Sequence, residues 1–114
     1  MTMASTLAII LAAVFLFTGL PMALGRPESV SQGEHLGFSA RNYRLLGLVQ
    51  ILGAVALGLG LLWKPIGIAA AIGFSLMMAG AVVVHLRAGD PTAKTVPALL
   101  FGAASIATAV LFLA

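Results

Sequence analysis

Four apolar runs dictate what this chain can become: Met3 to Leu24, Tyr43 to Trp63, Ile66 to Leu86 and Val96 to Ala114. Each is close to the roughly 20 residues that cross a hydrocarbon core about 30 Å thick at about 1.5 Å per residue. The runs are apolar on every side. Transmembrane strands would alternate apolar and polar residues, so helices are predicted instead. The expected fold is all-α, a four-transmembrane-helix bundle in which residues 1–114 form a single integral membrane domain, with antiparallel neighbours and a short second connection. The composition points the same way, since 8% of the 114 residues are charged and 61% hydrophobic, against roughly 25% charged in a soluble domain.

The few charges exclude other classes. A net charge of +3 spread over the whole chain reflects scarce acids and makes no basic patch, so nucleic acid is not an expected partner. Cysteine is absent, which removes disulfides, thiolate metal sites and thiol redox relays. The first run lacks a basic n-region and is too long for a cleaved signal, so it reads as a retained helix.

The connections differ in kind. Arg26 to Asn42 is long and polar, with Val30, Leu36 and Phe38 scattered through it in a pattern too irregular to specify an interfacial helix. Lys64-Pro65 reads as a minimal turn, and Gly89-Asp90-Pro91 is a turn signal. Arg26, Arg41, Arg44, Arg87 and Lys94 fall in or beside the first and third connections, opposite Lys64 alone, which predicts both connections in the cytoplasm and both termini outside.

In lipid, helices associate through close backbone approach and a few polar contacts. Two stripes of small residues and a heptad-like seam supply it: Gly47, Ala54 and Gly58; Ala98, Gly102, Ser105 and Ala109; and the seam Gly67, Ala71, Phe74, Met78, Ala81 and His85. Packing is their simplest use. Pro97 reads as a first-turn proline, and Gly19 with Pro21 as a place where the first helix loosens or kinks.

Polar residues inside the spans are costly and mark sites. Arg44 and His85 stand 20 to 21 residues either side of Lys64-Pro65, which places them at one depth, about 30 Å from that turn. Tyr43, Asn42, Arg87 and Asp90 share the layer, and Gln50 lies about 9 Å deeper. A pocket polar at its mouth and apolar below would suit a quinone, a lipid head group or a sterol-like molecule. The candidate ligand-binding residues are Arg44 to fix an anion, His85 to donate or accept, Gln50 to hydrogen-bond, and Tyr43. Each has a plainer reading: Arg44 snorkelling, His85 and Gln50 bonding a neighbouring helix, Tyr43 and Trp63 anchoring the two interfaces. Glu28, Glu34 and His35 read as solvated loop residues. No catalytic, phosphate-binding or zinc motif is present, so no catalytic or metal residue is named. A stand-alone enzyme would have only Arg44, Gln50, His85 and Tyr43 to work with.

Three segments carry a resemblance: Phe17-Thr-Gly-Leu-Pro-Met-Ala-Leu24, Arg44-Leu-Leu-Gly-Leu-Val-Gln-Ile-Leu-Gly-Ala54 and Met78-Ala-Gly-Ala-Val-Val-Val-His-Leu-Arg-Ala-Gly-Asp90. The chain resembles the DoxX-like family of small four-helix bacterial membrane proteins over nearly its whole length. It departs from the family's pattern at Gln50, where members often carry Glu, and at Met22, where they often carry Lys. The resemblance implies the bacterial cytoplasmic membrane and a role beside redox complexes, since relatives include a subunit of thiosulfate:quinone oxidoreductase; it implies no particular chemistry. The expected function is an accessory subunit of a membrane redox system that binds a quinone or lipid-like ligand between helices. No cofactor is expected within the chain beyond that quinone, and the expected partners are membrane lipids with a redox protein or a second copy. The alternative is an assembly or interaction protein that docks helices of a membrane client, without ligand or catalysis.

Overall fold

The structure, a computed structural model, describes residues 2–114 as five helices, with no strand among them. They are α1 (Met3–Leu24), α2 (Pro27–His35), α3 (Ala40–Leu59), α4 (Lys64–Arg87) and α5 (Thr92–Leu113). All but α2 are long and apolar enough to cross a membrane. Their outer faces carry large apolar side chains in the open, among them Phe17, Leu52, Leu76 and Leu113. A surface of that kind is stable against acyl chains and aggregates in water.

The caps explain where most helices begin and end. Thr2 accepts the Ser5 N–H at 3.0 Å to start α1, and Ser39 accepts the Asn42 N–H at 3.1 Å to start α3. Gly25 closes α1 in the left-handed region at φ 69°, where its own N–H reaches the Met22 carbonyl and that of Arg26 the Pro21 carbonyl. Pro21 therefore lies inside an uninterrupted α1, and Gly19 is used for packing: a Cβ there would meet the Gly47 carbonyl oxygen at 3.2 Å.

The first connection folds into α2 and α3 begins at Ala40, ahead of Tyr43; three further boundaries differ from the sequence reading. Lys64-Pro65 does not form the turn; it opens α4, because the amide that proline lacks has no helical partner in a first turn. The chain reverses earlier, over Gly60 to Trp63, where the Gly60 and Gly67 backbones approach so closely that neither admits a side chain. Trp63 accordingly precedes α4 and does not end α3. Third, α5 starts at Thr92, since its polar opening residues suit an interfacial first turn, and Pro97 falls in the second turn.

Helix α1 packs mainly on α3 and α4 mainly on α5, while α3 with α4 and α1 with α5 close the ring. Gly60 meets Gly67 and Gly53 meets Phe74; Gly67 meets Phe112 and Gly102 meets Met78, so along both pairs the numbers rise on one helix as they fall on the other. The core gathers where Ala4, Ala8, Leu11, Ala54, Leu57, Ala71, Ala109 and Phe112 interlock, bounded by Phe15 stacked on Phe74 at 3.9 Å with planes 7° apart. Three hydroxyls inside the bundle are satisfied on their own helices: Ser75 donates to Ala71, Ser105 to Phe101 and Thr108 to Ala104 carbonyls at 2.7–2.8 Å.

Candidate functional site

Beyond the Phe15–Phe74 stack the helices no longer fill the space between them. A cavity of about 480 Å³ opens there, walled by Val14, Leu46, Met77, Met78, Val84 and Phe101 and reached by few polar groups. Ligand sites are commonly roughly 300–1,000 Å³, mostly apolar, with a small number of placed polar atoms. The seam on α4 divides at this point: Gly67, Ala71 and Phe74 are buried in the core, whereas Met78, Ala81 and His85 line the cavity.

Gln50 marks the deep wall. It is 5% exposed, and its Nε2 donates to the Phe15 carbonyl at 2.9 Å and to the Thr18 hydroxyl. Gly19 is what lets α3 come near enough for that reach. A carbonyl oxygen requires a donor opposite it, so the amide nitrogen must face Phe15 and the amide oxygen must turn the other way.

The mouth is built by the chain segments around α2. Gly33 sits against Tyr43 so tightly that a Cβ would fall 2.5 Å from the ring's Cγ, and Phe38 lies 5.6 Å from the same ring. At the end of α4, Gly89 adopts φ 71° and the Asp90 N–H returns to the His85 carbonyl at 3.0 Å, which folds Asp90 back beside His85. Its carboxylate bridges two imidazoles, with His85 Nδ1 at 2.6 Å and His35 Nε2 at 2.5 Å. The Asp90 side chain is 4% exposed, His85 16% and His35 46%, so the bridge runs from the cavity wall to the surface. Hydrogen bonding from His35 first and His85 second holds the Asp90 carboxyl below the usual carboxylate range.

Of the residues the sequence singled out, Gln50, Tyr43 and His85 come together on the cavity, and Arg44 does not. Arg44 follows Tyr43 by one residue, about 100° around the helix, so a Tyr43 that faces inward sends Arg44 outward. Its Nε donates to the Ala23 carbonyl at 3.2 Å, at the end of α1, and its chain lines a separate groove with Ala40, Arg41, Leu45 and Leu48. Carbonyls in the last turn of a helix lack intrahelical partners, and a cation satisfies them. The cation at the cavity is Lys94, which the sequence reading used only for orientation. His35 was also missed as a partner; nothing local in the sequence connects it with Asp90, 55 residues away. Among the described residues no group of three His, Cys, Asp or Glu side chains could hold a metal ion.

A model of the DoxX-like family matches residues 6–110. The chain belongs to the DoxX-like family. With four helices able to span a bilayer, this DoxX-like protein is a small integral membrane protein. No curated protein and no solved structure matches it.

Proposed function

We propose that this protein is an accessory subunit of a membrane redox system of the bacterial cytoplasmic membrane, with both termini outside, and that it holds a quinone or lipid-like ligand between its helices. The observation that carries this reading is the cavity itself: a largely apolar space of about 480 Å³ with Gln50 at its deep wall and His85, Tyr43 and Lys94 towards its mouth. An amphipathic molecule fits that division, its ring or head group beside the polar atoms and its tail against Val14, Met77 and Phe101. Its partners on this reading are membrane lipids and a redox partner protein or a second copy of the chain.

The test uses the purified protein with short-chain quinone and hydroquinone analogues. Binding to the native state raises the unfolding midpoint, by the equivalent of about 2.7 kcal/mol at a hundredfold excess over Kd. His85→Ala should reduce that rise. No rise with any analogue would end the reading.

One observation favours the alternative, a protein that docks helices of a membrane client. Gly73 on α4 is exposed and has nothing within 4 Å of where a side chain would begin, so a foreign helix could approach there. A partner crosslinked in native membranes and lost on Gly73→Leu, but kept in His85→Ala, would favour docking over ligand binding.

A further inference from the structure

The hydrogen-bond polarity of the cavity specifies its occupant more narrowly than shape does. Gln50 spends its amide hydrogens on the Phe15 carbonyl and the Thr18 hydroxyl, which leaves Oε1, an acceptor, as the free end of the amide. His85 presents Nδ1 to a carboxylate oxygen at 2.6 Å. A carboxylate accepts only, so the neutral imidazole carries its proton on Nδ1 and leaves a lone pair on Nε2. No side-chain or backbone donor among the described residues reaches either free atom. Neither atom is sealed off, since among the described residues the enclosed side-chain N or O without a partner is Thr95 Oγ1, elsewhere on α5.

With the imidazole singly protonated, both fixed polar atoms on the wall are therefore acceptors. The other two polar groups do not offset this. Lys94 lines the mouth but is exposed, where an ammonium can stay hydrated without a ligand, and the Tyr43 hydroxyl rotates to donate or to accept. Gly53 faces Phe74, which puts Gln50 level with Met77; His85 is eight residues further along α4, about 12 Å at the helical rise. The two acceptors thus stand apart along the cavity, able to receive hydroxyls at opposite ends of one ring.

We propose that the cavity selects a hydroxyl-bearing head group, of phenol or hydroquinone type, over one that offers only carbonyl or ether oxygens. This rests on the reading of the cavity as a ligand site and names the chemistry of its ligand. A hydroxyl satisfies Nε2 or Oε1; a carbonyl there sets lone pair against lone pair and leaves a buried acceptor unmet. Asp90 acts as a positioning residue, since it does not line the cavity and decides which imidazole nitrogen carries the proton.

Three probes of nearly equal size test this under anaerobic conditions at pH 8: an alkyl hydroquinone, its oxidised quinone and its dimethyl ether. The hydroquinone should bind at least tenfold more tightly than either of the others. His85→Phe keeps the ring volume, removes the acceptor and should shrink that ratio severalfold. Asp90→Asn supplies an amide that can donate to Nδ1 and move the imidazole proton to Nε2, so it should raise quinone affinity relative to hydroquinone. A purely structural Asp90 would weaken all three probes alike, which would overturn its assigned role. Equal affinities in the unaltered protein, or a tighter quinone, would overturn the selectivity and leave the cavity as a binding site. Failure of all three probes to bind would remove the selectivity and the ligand site together.

Discussion

The two halves of the bundle are built from the same residue types and do different things with them. In one half, glycine and alanine sit where another helix arrives: Gly60 against Gly67, Gly53 against Phe74, and Ala71 fully enclosed. In the other half, Ala81 and Gly80 border empty space, and the aromatic and methionine side chains form walls. A small residue is thus a contact or a void depending on what faces it. The Phe15–Phe74 stack is the partition between the two uses.

The largest effect is expected from breaking the partition. Phe74→Ala deletes the ring stacked on Phe15 and packed on Gly53, and should cost about 3 kcal/mol, read as a lower unfolding midpoint in detergent. It should also join the cavity to the core and weaken discrimination among ligands. A loss below about 1 kcal/mol would mean the packed half is looser than its geometry implies.

Gln50→Leu should come next, at about 1–2 kcal/mol. It removes the donor to the Phe15 carbonyl and the Thr18 hydroxyl; the carbonyl keeps the Thr18 hydroxyl at 3.4 Å, whereas the Thr18 oxygen loses the donor it accepts from. Thermal unfolding measures the cost, and ligand titration separates it from any change in affinity.

Filling the hollow half should barely affect stability. Ala81→Phe extends into existing space, so the midpoint should move by less than about 1 kcal/mol while ligand-induced stabilisation disappears. An equally sharp loss of stability from this variant would erase the contrast between the halves.

The smallest effect concerns the bridge at the mouth. Because the Asp90 carboxyl is held below its ordinary value, its contribution is fully present above about pH 3.9, the unfolded value, and is lost as the pH falls through the lower folded value. Hydrogen exchange of the α2 amides should therefore quicken in that acidic window in the unaltered protein, and the step should be absent in Asp90→Asn.

Much of the architecture is legible in the sequence. The α4 seam faces inward along its length, and Gly47, Ala54, Ala98, Ser105 and Ala109 are buried as their spacing predicted, because a stripe of small residues on an otherwise bulky helix has few uses besides close approach. Gly58 and Gly102 are only half-buried: Gly102 still meets Met78, whereas Gly58 has nothing opposite it. Within the candidate site, Gln50, Tyr43 and His85 were legible as polar groups inside apolar runs. Arg44 was misplaced because depth along a helix says nothing about direction around it. The His35–Asp90 contact was invisible because no periodicity links a loop residue to one 55 positions away.

Length and hydropathy alone thus determined that the chain makes helices of bilayer-crossing size, because a backbone in hydrocarbon must satisfy its hydrogen bonds internally and a helix does so within one segment. Only the tertiary structure decided which faces meet and which part. With no water to expel, lipid-solvated helices gain from fit, and fit belongs to pairs of surfaces that no single run of residues contains.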